Sequence, residues 1–61
     1  MITNQPDLRA AFWRDHPQYT RRPGWTQNNY PADIRVEWVA FVDHMNRVGA
    51  ISDALASRAT L

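Results

Sequence analysis

Residues 21 to 31, Arg21-Arg22-Pro23-Gly24-Trp25-Thr26-Gln27-Asn28-Asn29-Tyr30-Pro31, gather two guanidiniums, two aromatic rings and three side-chain amides on a stretch whose prolines and glycine bar a helix. Arginine brings a planar fork of donors that matches carboxylate or phosphate. Trp25 adds a stacking surface, and the amides add adaptable donors and acceptors. This is the chemistry of recognition rather than of bond making. Elsewhere only His16 and His44 are of a type that titrates near neutrality, and each follows an aspartate, Asp15 or Asp43. Neighbours on a helix point about 100° apart, so neither aspartate is placed to orient its imidazole, and no third ligand stands at metal-like spacing. Both histidines read as surface or partly packed side chains. Asp33 and Glu37 lie one turn apart and could in principle bind a cation; a negative first helical turn explains them more simply. There is no glycine-rich phosphate loop, no nucleophile and base in recognisable order, and little volume for a pocket. The expectation is a protein that is not an enzyme, with no catalytic residues, no metal and no cofactor.

The chain of 61 residues makes one small domain, near the lower size limit at which a single core outweighs chain entropy. It has no cysteine, so disulfides and thiolate zinc sites are excluded, and disulfide usage says nothing of compartment. All seven cations are arginine. Codon usage in a GC-rich genome is the simpler account; the aptness of arginine for interfaces is the second. Residues 9 to 30 carry Arg9, Arg14, Arg21 and Arg22 against Asp15, a net of +3, whereas residues 31 to 61 carry three arginines against four carboxylates, a net of −1; Asp7 completes the total of +1. The N-terminal half is therefore the side expected to face an anionic surface, or else an ordinary solvated face. The longest strongly apolar segment, Val36 to Val42, is interrupted by Glu37 and far too short to span a bilayer, and no basic region followed by an apolar run opens the chain. The expectation is a soluble, unprocessed, cytoplasmic protein.

The elements that must position these groups are helical. Pro6 suits the first turn of a helix, with Asn4 or Gln5 before it and Asp7 near the positive end; Pro17 closes it. Leu8, Ala11 and Phe12 share one side, while Trp13 points about 100° from Phe12, towards the loop or a partner. Residues 17 to 30 read as irregular, with a turn at Pro23-Gly24; a connection of that length is expected to be functional or disordered, and the aromatics Tyr19, Trp25 and Tyr30 argue for ordering by contact with the core. A second helix, about 31 to 48, starts at Pro31 with Asn29 or Tyr30 as cap. Ile34, Trp38, Phe41, Val42, Met45 and Val48 form its core stripe. Opposite lies a smaller apolar strip, Val36, Val39 and Ala40, bordered by Asp43 and Arg47 at pairing distance. Either helix one and the loop wrap round to cover both sides, the arrangement expected for so small a domain, or the strip is an interface. Gly49 closes this helix in the left-handed conformation. Ser52 caps a third, about 52 to 59, carrying Leu55, Ala56 and Ala59 inward, with Ile51 stapled against Ala56.

The helix-Gly-helix pattern at Gly49 raises a DNA-binding helix-turn-helix, but the third helix offers base edges and phosphates only Ser52, Asp53, Ser57 and Arg58. If nucleic acid is bound, the better surface is the loop with helix one, using the arginines for phosphates and Trp25 or Tyr19 for stacking on unpaired bases. Trp25 and Tyr30 could equally roof the core beside Trp38.

From about residue 8 onward the chain resembles small uncharacterised proteins encoded by phages and other mobile elements of proteobacteria. The resemblance is carried by Phe12-Trp13 with His16-Pro17, Gln27-Asn28-Asn29-Tyr30, Arg35 with Trp38 and Phe41-Val42-Asp43, and the ending Gly49-Ala50-Ile51-Ser52, Leu55-Ala56, Arg58 and Thr60-Leu61. It implies an origin, and by analogy an action through binding a bacterial host component such as a defence complex. Taken together, the sequence predicts an all-α, compact three-helix mini-domain over residues 1–61 with a long irregular loop between helices one and two. Its partner-binding residues would be Arg9, Trp13, Arg14, Arg21, Arg22, Trp25, Gln27 and Asn28, and its candidate self-association residues Val36, Val39 and Ala40. A protein partner is the leading expectation, with nucleic acid and a structural homo-oligomer as alternatives and no membrane involvement.

Overall fold

The computed structural model describes residues 1–61 as three α-helices, α1 (Gln5–Asp15), α2 (Ala32–Arg47) and α3 (Asp53–Arg58), with one 3₁₀ turn at Gln27–Asn29 and no strand. The all-α, three-helix reading holds, and helix ends lie within one residue of the expected positions. Asn4 caps α1 by accepting the Asp7 N–H at 2.9 Å, with Pro6 in the first turn as anticipated. At the other end His16 turns its Nδ1 back onto the Phe12 carbonyl at 2.8 Å; a carbonyl can only accept, so Nδ1 is the protonated nitrogen there.

Two expectations about α2 are corrected. Neither Asn29 nor Tyr30 caps it. Pro31 occupies the cap position in an extended conformation (φ −58°, ψ 155°) and its carbonyl accepts the Arg35 N–H at 3.2 Å, while the Asn29 side chain is engaged with the Thr26 N–H at 2.8 Å. Val48, placed in the core stripe by projection, is 61 % exposed because it lies beyond the last helical turn, where the chain is already reversing. That reversal is the one the sequence announces. Gly49 has φ +78°, its N–H donates to the Asn46 carbonyl, and the Ala50 N–H donates to the Met45 carbonyl, which together close a Schellman motif. Asn46 then reaches forward to Asp53 at 2.8 Å, and Ser52 accepts the Leu55 N–H, fixing the start of α3.

The core is Leu8, Ala11 and Phe12 from α1, Ile34, Trp38 and Val42 from α2, and Leu55 from α3, completed by Tyr30, Ile51 and Leu61 from the segments between and after the helices. Phe12 is its hub, meeting Trp38 edge-on at 5.3 Å and Phe41 at 5.5 Å between ring centroids. Met45 and Phe41 flank the stripe half-buried, and Ala56 and Ala59 pack on the same cluster. Nothing covers the second strip. Val36 is 66 % and Val39 59 % exposed and Ala40 is exposed too, so the expected wrapping does not occur; α1 packs on the stripe side of α2, and Gln27 of the loop reaches only the edge of the strip, at a shallow depression it shares with Val36 and Val39.

Candidate recognition basin

The loop after α1 is tied down at several points. The Tyr19 N–H donates to the His16 carbonyl at 3.0 Å, and the Tyr19 ring stacks on His16 with planes 7° apart. Pro23-Gly24 makes the expected turn, Gly24 at φ +84°, with the Trp25 N–H donating to the Arg22 carbonyl at 3.1 Å. The Tyr30 ring is buried in the core while its hydroxyl emerges at the loop, accepting the Arg22 N–H at 3.1 Å and donating to the Arg22 carbonyl at 3.2 Å. A buried tyrosine needs a partner for its polar tip, and here the partner is the backbone of the residue to be positioned.

This bracing produces a concavity of about 290 Å³ lined by Arg9, Arg21, Arg22, Trp13, Trp25 and Tyr30, with the Pro23-Gly24 turn on one side and Leu61 as part of its floor. Five of the eight residues expected to meet a partner (Arg9, Trp13, Arg21, Arg22 and Trp25) are thus brought to one place. The Arg22 guanidinium lies over the Trp25 ring at 5.4 Å from its centroid, and Trp25 meets Tyr30 edge-on at 5.3 Å while remaining 43 % exposed. Trp13 contacts Phe12 and Tyr30 and is half-buried, so it is both a wall of the basin and a rim of the core. The alternatives for the loop aromatics therefore divide: Tyr30 belongs to the core and Trp25 to the surface.

The other three expected residues lie elsewhere. Arg14 is exposed and paired with Asp15 at 3.6 Å. Asn28 is exposed on the 3₁₀ turn, away from the basin lining. Gln27 takes a hydrogen bond from the Thr60 hydroxyl at 3.1 Å, so it fastens the C-terminal segment rather than facing the arginines. Arg9 does both: its Nη1 donates to the Thr60 carbonyl at 3.0 Å while the side chain lines the basin. Sequence reasoning missed Tyr30 as the brace and Leu61 as the floor. Only the amphipathic character of tyrosine hinted at the first.

A larger groove of about 470 Å³ runs between α2 and α3 over Trp38, Val39, Val42, Ala56 and Ala59, with Asp43 and Asp53 on its rim. Asp43 is paired with Arg47, and Asp53 accepts a hydrogen bond from the neutral Asn46 amide and keeps its charge, so the larger groove is apolar with an acidic rim whereas the smaller basin is cationic and aromatic. His16 faces Glu37 at 3.9 Å rather than Asp15, and no group of three His, Cys, Asp or Glu side chains is arranged to hold a metal. No helix is long and apolar enough to cross a membrane. No protein-family model, curated protein or solved structure matches the chain.

Proposed function

We propose that this chain is a non-enzymatic interaction module that binds a protein partner, a bacterial host component, through the arginine and aromatic basin. One observation carries the reading: Arg21 and Arg22 stand beside the half-exposed Trp25 on a braced loop, and neither guanidinium is in an ion pair within the chain. Arginine and tryptophan contribute disproportionately to interface energy when desolvated, and a pre-ordered loop lowers the entropy lost on docking. Capture from proteobacterial lysate tests it. Arg22→Ala or Trp25→Ala should weaken the captured partner by about 2 kcal/mol or more, the threshold of an interface anchor, while the melting temperature stays nearly unchanged. Collapse of the fold in Trp25→Ala would assign Trp25 to the core and remove the main anchor.

A second reading, self-association, is favoured by the uncovered strip. Val36 and Val39 sit together on α2, and both border one shallow depression with Ala32 and Arg35.

A further inference from the structure

Resting on the interaction-module reading, we infer that the basin recognises a carboxylate side chain, Asp or Glu, with an apolar neighbour, presented by an acidic segment of the partner protein. The lining contains three arginines and no Asp or Glu. The Arg22 guanidinium carbon lies 5.4 Å from the Trp25 ring centroid, and no hydrogen bond or ion pair within the chain engages the N–H donors of that group, which leaves them for a planar anion. Arg21 adds a second unpaired charge, and Arg9, held on Thr60 by one nitrogen, adds a third that is already oriented. Trp13 and Trp25 supply apolar surface beside the anion.

Size and charge distribution separate a carboxylate from a phosphate backbone. A volume of about 290 Å³ suits one or two side chains and lies at the lower limit of ordinary ligand pockets. A nucleic-acid strand needs a track of cations meeting successive phosphates. Of the four arginines outside the basin, Arg14 and Arg47 are paired with Asp15 and Asp43, Arg35 and Arg58 stand singly on α2 and α3 and line no part of the basin, and the chain as a whole carries only +1, which does not make a run of cations for successive phosphates.

The test uses the full chain, labelled with ¹⁵N, titrated with three probes: the capped peptide acetyl-Leu-Glu-Leu-amide, its Gln counterpart, and an eight-nucleotide oligothymidylate. The Glu peptide should shift the Trp25 indole and the Arg21 and Arg22 amides saturably. The Gln peptide should bind about tenfold more weakly, the difference between a charge-assisted and a neutral hydrogen bond. Arg21→Ala/Arg22→Ala should abolish the response to the Glu peptide with the remaining spectrum unchanged. Equal binding of the two peptides, no response to either, or tighter arginine-dependent binding of the oligonucleotide would each overturn the inference. Its failure is distinguishable from failure of the interaction reading: a lysate partner still lost on Trp25→Ala would leave that reading standing, with a different chemistry in the basin.

Discussion

The Tyr30 hydroxyl grips both polar groups of the Arg22 backbone, at 3.1 and 3.2 Å, from a ring that is almost wholly buried. One side chain thus transmits the rigidity of the core to the loop. Tyr30→Phe keeps the ring and removes only the hydroxyl, so it should cost about 1 kcal/mol, because Arg22 is exposed and water can take over both bonds. Its larger effect is expected on dynamics. Amide hydrogen exchange should quicken at Arg22 and Trp25 while staying slow in α2, and partner binding should weaken without any loss of contact area. Unchanged exchange at Arg22 would show that the loop is held by other means. At this scale the sequence disclosed the right residue types but not their division of labour. Trp25 and Tyr30 are five residues apart and equally aromatic, and only the three-dimensional path of the chain puts one in the core and the other at the surface. Gln27 illustrates the same limit: its partner, Thr60, is 33 residues away, beyond the reach of any local pattern.

Elements were more legible, because their signals are local. Pro6, Gly49 and Ser52 each do what their type suggests, and each rests on a contact within a few residues. Gly49 gives the sharpest test. A Cβ there would meet nothing within 4 Å, so the cost of Gly49→Ala arises from the left-handed backbone (φ +78°) alone. About 1 kcal/mol is expected, read as a fall in melting temperature of about 4–8 °C for a domain of this size. A variant as stable as the parent would mean that the turn relaxes into another conformation. Val48 marks where periodicity stops being a guide. Projection assumes that the helix continues and that the core covers its end, whereas this chain reverses one residue later and leaves Val48 in solvent. The same projection identified Ile34, Trp38 and Val42 correctly because all three lie within α2, where the advance of about 100° per residue holds.

At the scale of the molecule, the chain builds its core on one side of its longest helix and leaves the other side bare. Its two candidate surfaces differ in kind: the basin is cationic, aromatic and braced, and the strip of Val36, Val39 and Ala40 is apolar and exposed on α2. If the strip joins two copies, the mass in solution should exceed the 7.1 kDa of one chain and the melting temperature should rise with concentration. Val39→Glu should then yield a folded monomer, and a variant that still associates would exclude the strip as the contact. Leu61, Ile51 and Tyr30 enter the core from outside the helices, which is why no helical pattern foretold how α1, the loop and α3 would assemble. The central claim is that the basin, not the strip, meets the partner. The most direct measurement compares the affinity of a captured partner for the parent chain, for Arg21→Ala/Arg22→Ala and for Val39→Glu under the same salt. A loss of at least about thirtyfold is expected for the arginine variant, as for an interface anchor, and none for Val39→Glu. The reverse pattern, or a partner indifferent to both arginines, would contradict that claim.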